Sequence, residues 1–210
     1  FTYLVSDGVA TREGTVTLNV QPEGELVTIR LEATDLNGNV IDTINAGESF
    51  LLRMFVADTS PEPVLGVFAA YADIEWQSSL AFVDGDFTFN PDYPNGPRGD
   101  ISTPGRIDGL GSFSRLDEGT PDEFLLVSVP FEATGSGQLT FTSERAIDPT
   151  VEPTDPFFNV LLFDTLEIAV PPEQISYGFT TLTVVGPTAP VAIADEYDAD
   201  NGIVQVAADN

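Results

Sequence analysis

The sequence predicts an all-β protein, specifically an antiparallel β-sandwich. Several segments alternate apolar and polar residues with a period of two, which is typical of strands that bury one face. The densest apolar stretch, residues 50–83, contains strands that we expect in the middle of the sandwich. The 16 prolines and 18 glycines favour a fold with many turns, and few stretches show a helical period.

The charge balance of the chain is strongly acidic. Among 210 residues, 7 are basic, all of them arginine, and 34 are acidic, which gives a net charge of −27. Such a chain repels phosphate groups, so we expect no nucleic-acid partner. No stretch approaches the ~20 apolar residues of a membrane span, so we also expect no membrane insertion. The acidity fits either solubility in a salty medium or binding of cations such as Ca²⁺.

The residue inventory argues against an enzyme. The chain contains no Cys, His or Lys, which removes the commonest nucleophiles and general bases. Asp73 and Glu75 would lie about 7 Å apart on one strand face, a separation compatible with glycoside hydrolysis. Any strand shows this spacing, however, and nothing indicates a substrate cleft. Ser112 lacks a histidine partner.

The first elements in chain order are a hairpin and a separate strand. Residues 1–5 and 12–20 are expected to pair around a turn at Ser6-Asp7-Gly8. Residues 26–34 alternate cleanly and predict the next strand.

A polar turn with an Asn-Gly pair follows, and residues 40–44 are expected to return as a strand. Oxygen atoms of Asp35, Asn37, Asn39 and Asp42 could also ligate Ca²⁺ there, although the spacing is not that of an EF-hand. A simple turn and a calcium loop are the two alternatives for this segment.

Two strands are expected in the middle of the sandwich. Residues 49–57 are apolar on both faces, which indicates a central strand. Residues 67–76 alternate, and their inward set is Phe68, Ala70, Ala72, Ile74 and Trp76. Tyr71, Asp73 and Glu75 are predicted to face outward and to be exposed. They are the candidate partner-binding residues, with ordinary solvation as the alternative.

The second half of the chain contributes a long irregular segment and further strands. Residues 84–123 are predicted to be rich in loops, with a short strand at 106–113 and carboxylates that could bind Ca²⁺ or cover a surface loop. Residues 160–163 and 175–185 complete the sandwich. Another alternating strand is predicted from Leu125, Val127, Val129, Phe131 and Ala133.

Both ends of the chain resemble one repeat type. The sequences FTYLVSDG and TVTLNV at the start resemble the last strands of the tandem Ig-like, cadherin-like repeats of large bacterial surface proteins, and PVAIADEYDADNGIVQVAADN at the end resembles their first strand. The resemblance implies partial repeats at residues 1–23 and 188–210 and an interior portion of a longer protein. Calcium at such a repeat junction would use Asp195, Glu196, Asp198 and Asp200.

The middle of the chain is similar to the cohesin family, the β-sandwich modules of secreted bacterial scaffolding proteins. The similarity rests on AAYADIEWQSSLAFVDG and FLLVSVPFEATGSGQLTF, and it implies a cohesin-like domain over residues 24–187. Trp76-Gln77-Ser78 stands where the family has a Tyr-Asp-Pro-like turn. The resemblance implies binding of dockerins, which are calcium-loaded helical modules, through one face of the sandwich.

Two functions follow from these resemblances. The first is a non-catalytic structural or adhesive module of an extracellular surface protein. As a fibre subunit, such a module would pair the terminal segments of neighbouring copies strand by strand. The alternative is a cohesin-type module for a dockerin-like partner. In either case the expected partner is a protein, either neighbouring repeats, copies of the chain or a dockerin-like module. The expected location is the cell surface.

Overall fold

The computed structural model describes residues 2–6, 11–15, 24–61, 64, 66–115, 122–147, 158–163, 166 and 168–187. Strands make up most of these ranges, which also contain a short 3-10 turn at Pro172–Gln174 and no α-helix. Within them, no helix has the length and apolar character that crossing a membrane would need. The strands are β1 Thr2–Ser6, β2 Thr11–Thr15, β3 Val27–Thr34, β4 Thr43–Asn45, β5 Ser49–Asp58, β6 Val67–Glu75, β7 Ala81–Val83, β8 Thr88–Phe89, β9 Asn95–Asp100, β10 Arg106–Phe113, β11 Phe124–Ala133, β12 Gly137–Arg145, β13 Leu161–Leu162, β14 Ile175–Tyr177 and β15 Phe179–Val185.

Two sheets pack face to face, which confirms the predicted β-sandwich. The seven-stranded sheet has the order β4-β15-β12-β6-β10-β9, with β13 also paired to β6. The six-stranded sheet has the order β14-β3-β5-β11-β7, with β8 also paired to β11. Most neighbours are antiparallel, as predicted, but β14 runs parallel to β3 and β15 runs parallel to β4.

The core between the sheets is centred on aromatic rings. The Phe131 ring lies 5.6 Å from that of Phe50, 5.0 Å from that of Phe141 and 5.1 Å from that of Trp76, measured between centroids. The indole N–H of Trp76 donates to the carbonyl of Ala81 at 2.8 Å, so its polar atom is satisfied inside the core. Trp76, from the turn with the family resemblance, therefore serves as a core residue.

The predicted N-terminal hairpin is present. Strands β1 and β2 pair antiparallel, with Thr2 opposite Thr15 and Ser6 opposite Thr11. Residues 16–20 of the predicted second strand lie outside the described residues. The assignment of residues 1–23 and 188–210 to partial repeats stays a prediction.

The central strands β5 and β6 exchange the roles predicted for them. Strand β5 was expected to be buried on both faces. It is buried on its inner side but mostly half-buried on its outer side. Strand β6, expected to bury one face, is buried on both faces except at Glu75. The reason is a second apolar cluster on the outer face of β6, in which Leu161 and Phe163 pack against Phe68 and Ala69. The prediction that Phe68 faces inward is therefore wrong, because it belongs to this cluster and not to the core between the sheets.

The segment 84–123 contains more regular structure than predicted. The expected strand at 106–113 is confirmed as β10, but β8 and β9 also lie in this segment. Strand β9 has the sequence NGPRGD, which has no apolar alternation to reveal it.

A bulge in β11 corrects the predicted inward set of that strand. The pairing register with β5 shifts between Leu125 and Val127, so both Leu126 and Val127 are buried and Leu125 is only half-buried. The four other predicted inward residues of the strand belong to the core as expected.

Two predicted strands are redistributed between the sheets. Val40 forms only a bridge to Thr34, and the chain then crosses to the seven-stranded sheet as β4. Residues 175–185 divide into β14 and β15, one in each sheet. The division is at Gly178, whose N–H donates to Ile29 O at 2.8 Å. A Cβ at this position would lie 2.6 Å from the same oxygen, so the close approach requires glycine.

Candidate functional site

The three predicted partner-binding residues all project from β6 toward the outer face of the seven-stranded sheet. The prediction that all three are exposed is wrong for two of them, because Tyr71 is 2% and Asp73 is 0% exposed. Glu75 is exposed, as predicted. Neighbouring segments of the chain cover the other two.

Tyr71 fastens three strands together. Its ring lies over Gly111 of β10, where an added Cβ would be 2.6 Å from the Tyr71 ring. Its hydroxyl donates to the carbonyl of Gly96 in β9 at 2.9 Å. The ring of Phe158 lies 5.9 Å away and covers it from outside. Tyr71 is therefore a structural anchor below the surface.

Asp73 connects β6 to two other segments. One carboxylate oxygen accepts a hydrogen bond from the N–H of Gly109 at 2.6 Å. The other accepts from the guanidinium of Arg106 at 2.5 Å and from the N–H of Ile147 at 3.1 Å. Gly109 has a φ of +61° at the bulge of β10, a conformation that glycine adopts without strain. The buried carboxylate thus fixes the bulge and the segment after β12.

Arg106 is surrounded by four carboxylates from three strands. Besides Asp73, it pairs with Glu75 at 2.5 Å, with Glu144 at 2.9 Å and with its own-strand neighbour Asp108. Its side chain is 23% exposed, so these charges are only partly screened by solvent. We call these five residues the Arg106 cluster.

Burial and pairing move the pKa values in this cluster. Burial raises the pKa of Asp73, and this effect exceeds the lowering by the N–H groups of Gly109 and Ile147 and by Arg106. The hydrogen bond to Asp108 raises the pKa of Arg106, which keeps its positive charge. All four carboxylates of the cluster are ion-paired with Arg106.

A cavity of about 310 Å³ lies beside the Arg106 cluster. Its walls combine charged and apolar groups, and the guanidinium of Arg98 lies 4.2 Å from the centroid of the Phe158 ring, in cation–π contact. Ile147 is 64% exposed at the cavity, which makes it an apolar group available to a partner. The lining residues are Arg98, Asp100, Asp108, Gly109, Ala146, Ile147 and Phe158. We call this surface the acidic cavity.

The predicted calcium residues are divided between a turn and a part of the chain outside the described residues. Asp35 accepts hydrogen bonds from the N–H groups of Asn37 and Asn39, both at 2.9 Å, and from the Asn39 side chain at 2.8 Å. The Asn39 bonds lower the pKa of Asp35 most. The turn therefore uses both carboxylate oxygens. Among the described residues, no group of three or more acidic side chains is arranged so that it could hold a metal ion. Asp195, Glu196, Asp198 and Asp200 lie outside the described residues, so calcium binding stays a prediction.

Sequence reasoning did not identify Arg98, Arg106, Ile147 or Phe158 as parts of this face. A usable signal was present for Arg106, which begins the predicted strand at 106–113. In a chain with 7 basic and 34 acidic residues, an arginine within a strand is expected to neutralise several carboxylates at once. For Ile147 and Phe158 no such signal exists, because their positions depend on contacts distant in sequence, with Asp73 and Arg98 respectively.

The comparisons with known proteins concern the fold. No protein-family model matches the chain, and no curated protein matches it. A solved cohesin module of a family 33 glycoside hydrolase from Clostridium perfringens is 11% identical, with 78% of this chain and 99% of that chain covered and a TM-score of 0.51. The seventh ScaB type I cohesin from Pseudobacteroides cellulosolvens is 9% identical, with 80% and 96% covered and a TM-score of 0.51. These similarities show that the sandwich has a cohesin-like fold.

Proposed function

We propose that this protein is a non-catalytic protein-binding module that uses the outer face of the seven-stranded sheet. The observation that carries the proposal is the acidic cavity, where the exposed apolar side chain of Ile147 is surrounded by charged groups. Protein interfaces commonly place an apolar anchor inside a polar rim. The cohesin-like fold supports a binding role, because the similar structures from C. perfringens and P. cellulosolvens are named as cohesin modules.

The proposed partner is a dockerin-like helical module. The likeness of two sequence stretches to cohesins suggests this partner, and cohesins bind dockerins through one face of the sandwich. The outer side of β6 is covered by Phe158 and the residues near β13, so a partner here contacts Ile147 and the rim of the cavity rather than Tyr71 or Asp73. Acidic lining residues such as Asp100, which is exposed, favour a partner with complementary basic residues.

A binding measurement with purified dockerin modules tests the proposal. The full chain is titrated against a panel of dockerins by calorimetry, and Ile147→Ala is expected to weaken the interaction by about tenfold or more, as for a central anchor. Leu36→Ala is the matched control, because Leu36 is 63% exposed, like Ile147 at 64%, but lies in the turn after β3. Absence of binding to every dockerin tested, or equal loss in both variants, would contradict the proposal.

The non-catalytic part of the proposal has its own test. Incubation of the chain with a panel of polysaccharides and glycosides is expected to release no product, because the carboxylates of the Arg106 cluster are held in ion pairs. Measurable turnover that is lost in a Glu75→Gln variant would overturn this part.

A second candidate function is a link in an extracellular surface structure. The observation in its favour is that β1 and β2 form a two-stranded sheet of their own before the sandwich begins, in the segment that resembles the end of an Ig-like repeat. Immunogold electron microscopy of intact cells tests this candidate, with label expected on surface filaments. Label inside the cell would contradict both candidates. If calcium stiffens the links, a chelator should lower the melting temperature, and an unchanged value would count against calcium.

A further inference from the structure

A second, uncharged surface lies on the seven-stranded sheet, on strands β12 and β15. The pairing register places Thr140 opposite Thr181, Gln138 opposite Thr183 and Thr142 opposite Phe179. These side chains face outward, because the residues between them, such as Leu139 and Leu182, are buried in the core. We call Gln138, Thr140, Thr142, Phe179, Thr181 and Thr183 the threonine face.

The threonine face is neutral in a chain that is otherwise strongly acidic. None of its six residues can ionise, whereas the whole chain carries 34 acidic residues and a net charge of −27. The parallel neighbour β4 places Thr43 opposite Thr183. The Thr43 hydroxyl donates to the carboxylate of Asp42 at 3.2 Å, so the uncharged surface ends at β4. Outward positions on an acidic protein are where carboxylates would be expected if solubility alone determined them.

The hydrogen-bonding groups of this face are available to a ligand. The hydroxyls of Thr140, Thr142, Thr181 and Thr183 make no hydrogen bond to any described residue. The Phe179 ring is 69% exposed, the largest value among the large apolar side chains of the described part of the chain. An exposed aromatic ring beside an array of hydroxyl groups points to a ligand with both apolar and polar surfaces.

We propose that the threonine face binds a neutral polysaccharide. Adjacent strands are about 4.8 Å apart, and alternate residues on one strand are about 6.8 Å apart, so the hydroxyl groups form a regular grid that an extended glycan chain could follow. Their hydroxyls and the Gln138 amide would hydrogen-bond to sugar hydroxyl groups, and Phe179 would stack on the apolar face of a sugar ring.

The net charge of the chain favours a neutral glycan over an anionic glycan or a second copy of the chain. An anionic polysaccharide is repelled by the net charge of −27. A second copy of the chain carries the same charge, and Phe179 is the only large apolar residue on the threonine face to offset the repulsion between copies. A neutral glycan has no such penalty. This surface shares no residue with the lining of the acidic cavity, although Thr142 lies opposite Glu75 of the Arg106 cluster in the pairing of β12 with β6. The proposal does not depend on the proposed protein partner.

The experiment is a depletion assay with the full chain, in which protein is mixed with microcrystalline cellulose, insoluble β-1,3-glucan or polygalacturonate and the unbound fraction is measured. We expect at least one of the two neutral polymers to deplete the protein, and the anionic polymer to leave it in solution. Phe179→Ala should weaken retention by about tenfold. The double change Thr181→Val with Thr183→Val should have a similar effect, since the loss of two hydrogen bonds weakens binding by about this factor.

The controls separate a glycan site from nonspecific adhesion. Phe82→Ala removes an aromatic ring that is 44% exposed on β7 of the other sheet, and it should leave retention unchanged. Valine is isosteric with threonine and favoured in strands, so the double variant should keep the fold even if Phe179→Ala does not. Thermal unfolding of each variant checks this.

Three results would overturn the proposal. They are a lack of retention by both neutral polymers, retention that survives the valine substitutions, and equal loss in Phe82→Ala. A dimer in sedimentation that disappears with Phe179→Ala, without glycan retention, would identify the face as a contact between copies instead. Dockerin titration of the same variants is expected to match the unmodified chain, so the two proposals fail separately.

Discussion

Strands β5 and β6 occupy equivalent central positions in the two sheets, yet their outer sides differ. On β5, Phe55 is half-buried under the guanidinium groups of Arg30 and Arg53, which lie 4.1 Å and 5.0 Å from its ring centroid. On β6, Tyr71 and Asp73 are completely covered. The difference shows that a strand's pattern determines which residues share a side, while later segments of the chain determine whether that side meets solvent.

The ion pairs on the two outer faces differ in the same way. Arg30 forms a two-pronged pair with Glu123 at 2.8 Å and 2.9 Å, and both side chains are largely accessible. Arg106 pairs with Asp73, whose side chain has no exposed surface. Solvent weakens the first pair, whereas removal of one partner from the second leaves a buried charge or an unsatisfied donor. The two faces should therefore respond differently to substitution.

The largest expected effect comes from the close contact of Tyr71 with β10. In Gly111→Ala, the new Cβ would clash with the carbonyl of Ala70 and lie 2.6 Å from the Tyr71 ring. We expect a loss of at least about 3 kcal/mol in the free energy of unfolding, measured with urea, because backbone must move. Gly24→Ala is the control, since nothing lies within 4 Å of the added atom. Equal stability of the two variants would show that the outer side of β6 is loosely packed.

Removal of the buried carboxylate should rank next. Asp73→Ala leaves the N–H groups of Gly109 and Ile147 without their acceptor, and we expect a loss of about 3 kcal/mol. The matching change on the other face, Glu123→Ala, should cost less than about 1 kcal/mol. Urea unfolding of both variants measures the difference. If the two losses were similar, the burial of Asp73 would have no energetic consequence and the contrast between the faces would fail.

Apolar truncation should separate the faces by a smaller margin. Leu161 is 1% exposed in the cluster over β6, so Leu161→Ala should cost about 2.5 kcal/mol through lost burial and a cavity. Leu51 on the outer side of β5 is only half-buried, and Leu51→Ala should cost less than about 1 kcal/mol. Thermal unfolding should reproduce this order. A negligible effect of Leu161→Ala would mean that the segment at β13 contributes little to stability.

The smallest expected effect is a pH dependence of opposite sign on the two faces. Burial raises the pKa of Asp73 above its ordinary value of 3.8, so its contribution to stability is full below that value and is lost as pH rises through the folded pKa. The bond to Arg30 lowers the pKa of Glu123 below 4.5, so its contribution is present above that value and is lost as pH falls through the folded pKa.

Two neutral variants measure these signs. From neutral pH down to about pH 4, the stability of the unmodified chain should rise relative to Asp73→Asn and fall relative to Glu123→Gln. Urea unfolding across this range, at constant ionic strength, checks both. The same sign for both variants would show that Arg106, rather than burial, controls the titration of Asp73.

Local sequence patterns could predict much of the sandwich but only part of the candidate site. The period-two alternation identifies β3 and most of β11, because each has one apolar side facing the core. It assigns Asp73 to solvent, because acidic residues in strands usually face water. The burial of Asp73 depends on Arg106, 33 residues later, and on Ile147, 74 residues later. No local pattern contains these pairings, and β9 has no apolar alternation at all.

The parallel pairing of β14 with β3 has a consequence for how the sandwich bears tension. The first strand of the sandwich and one of its last lie side by side and point the same way, with Ile175 opposite Val27 and Tyr177 opposite Ile29. A pull on the start of β3 against the end of β14 would draw the two strands in opposite directions along their length. Their hydrogen bonds are then loaded together in shear instead of opening one after another, so this geometry resists stretching.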